Sequence, residues 1–278
     1  KSCSIRVSSH RRCGFFIYSS MIFYFSGTGN SKWIAQQLAQ VQQEELISIA
    51  AELQQKDNPF RYQLRNNEKI GFVFPIYSWG IPPIVLEFIR KIDLVEYHHH
   101  YLFFVCSCGD DIGLAKEMFI KSVHRKGWEC QSGFSVIMPN NYVLMKGFDT
   151  DSKEVEQRKL EEAVPTVTEI NDLLAKRVQN TFHCVKGKFA YVKTRLIYPL
   201  FVKYQITAKP FYATDDCIAC KLCEKACPVK NIKVDGKPIW SNNCTSCLAC
   251  YHICPRQAIQ YGKETRGKGQ YFNPNVRI

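Results

Sequence analysis

Eight cysteines near the carboxyl end of the chain fall into two copies of the spacing C-x2-C-x2-C-x3-C-P. The first copy occupies residues 217–228 and the second occupies residues 244–255. Thiolates at such short intervals can surround a compact inorganic core, and this spacing is typical of [4Fe–4S] clusters. Because each such cluster passes electrons singly, the motif predicts redox chemistry.

The two copies predict two interleaved sets of ligands. The first three cysteines of a copy can wrap one cluster, whereas the fourth lies on the following turn and faces away from it. Pro228 and Pro255 redirect the chain there, because a proline disfavours helical geometry in the residue before it. Cluster one is assigned to Cys217, Cys220, Cys223 and Cys254. Cluster two is assigned to Cys244, Cys247, Cys250 and Cys227.

Disulfides and zinc are the alternative uses of closely spaced cysteines. Disulfides suit small secreted domains, and we expect no secretory signal in this chain. Zinc sites usually use two spaced pairs of ligands, whereas here a three-plus-one run occurs twice and each run is followed by Pro. Iron–sulfur clusters are therefore the favoured interpretation.

A second motif lies near the amino end, where an apolar, β-prone run at residues 21–25 leads into Ser-Gly-Thr-Gly-Asn-Ser at residues 26–31. A helical stretch follows at residues 32–39. A strand, a hydroxyl- and glycine-rich turn and a helix start together predict an anion site, because backbone N–H groups and the positive helix end face the ligand. A dinucleotide fingerprint would need Gly where Lys32 stands, and the G-K-[ST] of a P-loop is missing.

Alternating strands and helices must position these loops. Apolar runs at residues 69–74, 101–105 and 134–138 predict buried strands, and residues 84–92 and 112–125 predict helices between them. Uniformly apolar strands that alternate with helices indicate a parallel sheet covered on both faces. Ligands of such sheets bind at the carboxyl ends of the strands, so the loops that follow the first three strands are expected to meet at one edge.

Residues 21–180 resemble flavodoxins, and the whole chain resembles the bacterial family in which a flavodoxin-like domain is fused to a two-cluster ferredoxin. The resemblance implies an α/β flavodoxin-like doubly wound parallel sheet, followed by a small α+β bacterial-type ferredoxin domain. It also implies FMN beside the two [4Fe–4S] clusters. By this resemblance the FMN phosphate is held by Ser26, Thr28, Gly29, Asn30 and Ser31. The isoalloxazine ring and its reactive edge are met by Tyr77, Ser78, Trp79, Cys108, Gly109 and Asp110.

The expected organisation has five parts: an extension at 1–20, the flavodoxin-like domain at 21–180, a connector at 181–210, the ferredoxin domain at 211–265 and a tail at 266–278. The extension holds Arg and Ser without acidic residues, as transit segments do. Met21 stands directly at the first strand, however, which favours an upstream extension without a functional role. The connector contains an amphipathic, basic stretch at 189–206, split by Pro199. It fits either a membrane surface or, as we favour, packing between the two domains.

Charge is unevenly distributed along the chain, whose formal net charge is +12. Residues 21–150 are almost neutral, so the positive balance lies on the connector and the ferredoxin domain, with four more positive charges in the first twenty residues. A basic face can steer an acidic redox protein towards the clusters, although a solvated surface explains it equally well. No nucleic-acid partner is expected, because no recognised binding module accompanies the charge. No apolar run is long enough for a membrane span, and oxygen-sensitive clusters favour the cytoplasm of an anaerobe.

The sequence thus predicts an electron-transfer protein that relays electrons between FMN, two [4Fe–4S] clusters and an external redox partner. Two alternatives stay open: an FMN-dependent reductase of a small acceptor that the clusters supply, and a ferredoxin carrier whose flavodoxin-like domain binds no flavin. An electron carrier is favoured over an enzyme, and no catalytic residue is predicted. Six cysteines outside the runs are expected to be free thiols: Cys3, Cys13, Cys106, Cys108, Cys130 and Cys184.

Overall fold

The computed structural model describes residues 20–55 and 60–277. Cys3, Cys13 and nearly all of the predicted extension therefore lie outside the described residues. The amino-terminal domain contains the strands β1 (Ser20–Tyr24), β2 (Glu45–Ser48), β3 (Arg61–Gln63), β4 (Lys69–Pro75), β5 (Asp93–Val95), β6 (Tyr101–Cys108), β7 (Cys130–Ile137) and β8 (Thr181–His183). Six of them form one parallel sheet in the order β2-β1-β4-β6-β7-β8, and β3 pairs with β5.

Helices cover both faces of this sheet: α1 (Asn30–Gln42), α2 (Ile49–Leu53), α3 (Pro83–Lys91), α4 (Ala115–His124) and α5 (Lys153–Ala175). The core on one face includes Phe88 of α3 and Phe119 of α4, and the core on the other face includes Ile34 of α1 and Ile170 of α5. The central strands are buried on both sides, as their apolar sequences predict. The predicted doubly wound parallel sheet is confirmed.

The course of the chain places a switch point between β1 and β4. The chain runs outward from β1 to β2 and later returns to β4 on the other side of β1. The crossover connections therefore diverge here and leave a crevice at the carboxyl ends of the strands. The loops that follow β1, β4, β6 and β7 all open onto this edge.

Several elements differ from the prediction in their bounds; β7, for example, begins at Cys130 instead of Phe134, and α1 spans Asn30–Gln42. Strand β6 continues to Cys108 instead of ending at Val105, because β4 and β7 pair with it along this length. Helix α4 begins at Ala115 instead of Ile112. Gly113 adopts a left-handed conformation (φ 57°), which helical residues do not adopt, and the N–H of Leu114 donates to Thr194 Oγ1.

The connector forms one helical stretch over residues 190–204, so the predicted split at Pro199 is wrong. It consists of α6 (Ala190–Val192), a π-helical turn (Lys193–Ile197) and α7 (Tyr198–Tyr204). The N–H of Tyr198 donates to the carbonyl of Lys193 in this wider turn. The proline thus lies in the first turn of α7, where its missing N–H disturbs the helix least. Within the described residues, no helix has the length and apolar character needed to cross a membrane.

The carboxyl-terminal domain consists of β9 (Phe211–Ala213), α8 (Leu222–Ala226), β10 (Ile232–Asp235), β11 (Lys237–Trp240), α9 (Ala249–Ile253) and β12 (Ile259–Tyr261). A hairpin at Gly236, which an Asp-Gly pair between apolar residues favours, joins β10 to β11, and β12 pairs with β9. The two halves repeat each other closely. Left-handed backbone conformations recur at matching positions, Ala219 with Ser246, Lys221 with Leu248, and Lys230 with Gln257.

Candidate functional site

The crevice at the switch point is a cavity of about 380 Å³. Its lining comes from the loops after β1, β4, β6 and β7, the connector helix and one loop of the carboxyl-terminal domain. Pockets of this size commonly hold small molecules and cofactors. The cavity is therefore the candidate binding site of the amino-terminal domain.

Ten of the eleven residues proposed to contact flavin line this cavity: Ser26, Thr28, Asn30, Ser31, Tyr77, Ser78, Trp79, Cys108, Gly109 and Asp110. Gly29 is the exception. It caps the start of α1 in a left-handed conformation (φ 98°), and a Cβ on it would lie 2.8 Å from the Cβ of Asn273. Its role is thus to let the carboxyl-terminal tail pass close behind the loop.

The hydroxyl groups of the loop after β1 have protein partners. Ser31 Oγ lies 2.7 Å from Ser107 Oγ, at the end of β6. Asn141 Nδ2 donates to Thr28 Oγ1. These bonds hold the oxygens at fixed positions on the wall of the cavity, beside the N-terminus of α1, where an anion is favoured.

Sequence analysis missed three parts of the lining. Asn140, Asn141 and Tyr142 follow β7, and Met145 and Phe148 lie farther along the same loop. The rule that loops after parallel strands share an edge would have identified this loop. The other two parts, Ile197 and Phe201 of the connector and residues 246–248 of the carboxyl-terminal domain, carry no signal in the sequence, because only folding brings them here.

The loop after β1 lies directly against Cys247. A Cβ at Gly27 would lie 2.3 Å from the carbonyl oxygen of Cys247 and 2.8 Å from its Cβ. Only glycine leaves room for this approach. One wall of the cavity is therefore a loop that carries a predicted cluster ligand.

The structure groups the eight predicted cluster ligands in two sets. A small hollow in the carboxyl-terminal domain is lined by three cysteines of the first run and the fourth cysteine of the second, Cys217, Cys220, Cys223 and Cys254. On the other side, Cys247 and Cys250 each lie close enough to Cys227 and Cys244 for electrostatic interaction. Among the described residues, no group of three His, Cys, Asp or Glu side chains is arranged for a single metal ion.

Backbone N–H groups point at several of these sulfurs. The N–H of Asn231 donates to Cys227 Sγ at 3.1 Å, and the N–H of Ala258 donates to Cys254 Sγ at 3.3 Å. The two bonds occupy equivalent positions in the two halves of the domain. Such donors stabilise thiolates and tune the potential of a cluster that the thiolates hold.

Buried donors lie beside the second set of cysteines. The side chains of Thr245 and Trp240 face Cys247 and Cys250, and Tyr77 Oη has no hydrogen-bond partner among the described residues. Burial, and then the charges of Cys247 and Cys244, raise the pKa of Tyr77 well above its usual value. Unpaired buried donors are costly, and the sulfurs of a bound cluster would supply acceptors here. The donors therefore fit a sulfur-rich group.

The remaining free cysteines lie apart from both sets. Cys106 and Cys108 are buried, and Cys130 and Cys184 are half-buried. Burial raises the pKa of the Cys184 thiol to about 12 and raises the pKa of the Cys106 thiol well above its usual value. These thiols are therefore protonated at neutral pH and unreactive. Cys108 also lines the cavity, but as an equally buried thiol.

Residues 266–277 return to the amino-terminal domain. The hydroxyl of Tyr271 and the amide of Asn273 both donate to Asn30 Oδ1, and Asn30 Nδ2 donates to the carbonyl of Pro139 at 3.1 Å. Nearby, His252 Nε2 donates to the carbonyl of Asn141 at 2.7 Å. Asn30 thus joins the loop after β1, the loop after β7 and the tail.

Replacing Asn30 with Ala should lower stability markedly. The change leaves the carbonyl of Pro139 and the tail donors without partners in a buried place, at a cost of about 3 kcal/mol. The thermal unfolding midpoint of the intact chain, measured without oxygen, checks this. Asn66→Ala, at an exposed position, is the matched control and should leave the midpoint almost unchanged. Equal midpoints for the two variants would contradict the anchoring role of Asn30.

Comparison with known families gives the class of each domain. Residues 21–132 match the model of a flavodoxin domain, and residues 216–259 match the model of a 4Fe-4S dicluster domain. The chain therefore has a flavodoxin domain followed by a 4Fe-4S dicluster domain, which is the arrangement of a flavodoxin–ferredoxin fusion. This combination supports a role in electron transfer.

One curated relative is similar over a short segment. This relative, a component of the ion-translocating oxidoreductase complex of Methanosarcina acetivorans, is 48% identical over 46 residues, which cover 16% of this chain. The segment spans 17% of the length of that protein.

Several solved structures are similar to the amino-terminal part of the chain. A Trp repressor binding protein from Bacillus subtilis has 14% identity and a TM-score of 0.37, over 58% of this chain and 98% of its own. A flavodoxin from Streptococcus pneumonia has 15% identity and a TM-score of 0.35, over 57% and 99% of the two chains. An FMN-dependent NADH-azoreductase from Bacillus anthracis, in complex with FMN, has 10% identity and a TM-score of 0.33, over 55% and 99%.

Proposed function

We propose that the protein relays electrons between FMN in the cavity of the amino-terminal domain, two [4Fe–4S] clusters and an external redox partner. One observation carries this proposal. The loop with Cys247, a predicted ligand of cluster two, forms part of the cavity wall. A cofactor in the cavity and a cluster on that loop would be immediate neighbours, which is the condition for direct electron transfer between them.

The lining of the cavity supports FMN as its ligand. The loop after β1 offers hydroxyls and a helix N-terminus to a phosphate. Tyr77 and Trp79 offer aromatic surface to a flat ring system. Lys193 Nζ lies 4.9 Å from the centre of the Trp79 ring and 2.6 Å from Asp111 Oδ2. The ion pair thus keeps the lysine beside the indole ring and helps to fix its position.

The two sets of cysteines support two clusters with interleaved ligands. Each set draws three sulfurs from one run and one from the other, as the spacing predicts. The backbone N–H donors to Cys227 and Cys254 would stabilise these sulfurs as thiolate ligands, and the buried Tyr77 Oη would find an acceptor in a sulfur-rich core. When bound, FMN carries one or two electrons and each cluster carries one. The chain would therefore convert between two-electron and one-electron transfer.

The geometry favours one order of the carriers. Residues 246–248, which belong to the cluster-two loop, line the cavity, whereas the hollow of cluster one lies apart from it. At cluster one, Cys220 is exposed and Ile218 is 61% exposed. Lys221 and Arg256 are exposed beside it. We therefore place cluster two next to FMN, and cluster one at a basic surface where an acidic redox protein would dock.

Analysis of protein prepared without oxygen tests the cofactors. We expect about eight irons, with matching sulfide, for two clusters, together with FMN and a visible spectrum that dithionite bleaches. If cluster signals are present but FMN does not bind even when it is added, the relay is excluded and the ferredoxin carrier is supported. Zinc in place of iron would exclude both the relay and the ferredoxin carrier. Sustained turnover of a small acceptor would favour the alternative of a reductase.

Oxygen-sensitive clusters also lead us to propose the cytoplasm of an anaerobe as the location.

The Trp79→Ala variant tests the flavin site within the same preparation. Loss of the ring surface should weaken FMN binding about tenfold or more, as measured by quenching of flavin fluorescence. Tyr191→Ala removes an exposed aromatic ring that does not line the cavity and should bind FMN like the unmodified chain. Identical affinities for the two variants would place FMN elsewhere.

A further inference from the structure

The connector helix has two apolar faces instead of one. Its inner face holds Thr194, Tyr198 and Phe201, which are buried against the amino-terminal domain. Tyr198 Oη donates to the carbonyl of Ile81 at 2.6 Å, and the ring of Phe201 lies 6.2 Å from that of Tyr77. This face packs the helix against the amino-terminal domain.

The outer face is apolar as well. Large side chains recur at intervals of three or four residues and form a stripe, which we call the outer stripe: Phe189, Val192, Leu196, Leu200 and Tyr204. All five are between 44% and 78% exposed. Apolar side chains of this size on a surface mark an interaction site when they are contiguous. The packing of the described domains does not account for this stripe.

All of the charged residues in the sequence around the stripe are basic. From Leu173 to Thr214 there is no Asp or Glu, and there are eight Lys or Arg residues. Lys193 is engaged with Asp111, but Lys188, Arg195 and Lys203 are exposed on the helix or beside it. The stripe is thus flanked by positive charge.

We propose that the outer stripe binds the surface of an anionic lipid bilayer, with the helix lying in the plane of the interface. An amphipathic helix with Phe, Leu and Tyr on one side and Lys and Arg at its edges binds such a surface through both apolar burial and charge attraction. Its fifteen residues span about 22 Å, which is enough to lie on the bilayer but too short to cross it.

A lipid surface explains this combination better than a protein partner or a second copy of the chain does. Aromatic side chains stand at both ends of the stripe, and such rings favour the boundary between lipid and water. All charged residues of the connector are basic, and a cluster of Lys and Arg on an amphipathic helix is typical of binding to anionic lipid. Ile197 belongs to the same helix and lines the cavity, so binding would bring the cavity close to the lipid.

Flotation with vesicles tests this proposal on the full chain. Vesicles of phosphatidylcholine with about one quarter phosphatidylglycerol, an anionic lipid, should carry the protein upward, and vesicles of phosphatidylcholine alone should carry much less. Replacing Leu196 and Leu200 with Ser should weaken binding by at least about 30-fold, because two leucines then leave the lipid. Lys188→Gln with Lys203→Gln should weaken it less and remove part of its salt dependence.

The control changes two equally exposed apolar residues elsewhere, Val41→Ser and Ile239→Ser, and should bind vesicles like the unmodified chain. Circular dichroism verifies the fold of each variant, so a loss of binding is not mistaken for unfolding. The proposal is overturned if the unmodified chain stays with neither kind of vesicle, if both leucine replacements leave binding intact, or if the stripe instead drives dimer formation in solution. This readout needs neither FMN nor clusters, so it stands or falls separately from the proposed relay.

Discussion

A chain with Cys217→Ala and Cys254→Ala should keep one intact four-iron cluster, although the two replaced residues lie in different sequence runs. Both residues line the hollow assigned to cluster one, so the double change removes two ligands from a single cluster. The iron content should fall from about eight to about four per chain. Iron and sulfide analysis of protein prepared without oxygen measures this.

The pair Cys217→Ala with Cys227→Ala is the decisive comparison. These residues lie in the same run but belong to different sets, so each cluster should lose one ligand and neither should stay intact. If each run held its own cluster, the outcomes of the two double variants would be exchanged. Cys130→Ala, at a thiol outside both runs, should retain both clusters. Electron paramagnetic resonance of the reduced proteins distinguishes intact from damaged clusters.

Loss of cluster two should disconnect the flavin from cluster one. Cys227→Ala with Cys250→Ala removes two ligands from the set that lies beside the cavity, and leaves the four cysteines of the other hollow. We expect FMN to bind still, and the fast phase in which photoreduced FMN passes an electron to the remaining cluster to disappear. Only slow exchange between separate chains should remain. Flash photoreduction followed by visible absorbance measures the phase.

The matched control removes cluster one instead. Cys217→Ala with Cys220→Ala should keep the fast phase, because cluster two and its shared wall with the cavity are untouched. That variant should nevertheless transfer electrons poorly to an external acceptor protein. A fast phase of equal size in both double variants would refute the proposed order of the carriers. A missing phase in the unmodified chain would refute the relay itself.

The sequence predicted well those features that depend on neighbouring residues. Cysteine spacing predicted the two sets into which the structure groups these residues, since three members of each set lie within seven consecutive residues. The loop at residues 26–31 and the apolar strands predicted the crevice, because strand, turn and helix start follow one another directly. Even the hairpin at Gly236 follows from a local pair of residues.

Features that join distant segments were less predictable. The connector helix continues through Pro199 because a π-helical turn precedes it, and no sequence pattern predicts that turn. Sequence periodicity identified the connector as amphipathic but could not tell which apolar side would be covered. Contacts of Tyr198 and Phe201 with the amino-terminal domain decided this, and they left Leu196 and Leu200 exposed.

The sequence by itself therefore determined the type of each domain and predicted the chemistry of its ligands, since both predictions rest on residues close together in the chain. Tertiary structure alone decided how the two parts meet. Gly27 and Cys247 are separated by more than two hundred residues, yet a missing side chain at one lets the backbone of the other form the wall of the cavity. Such proximity results from the packing of whole domains, which depends on many weak contacts that no local pattern records.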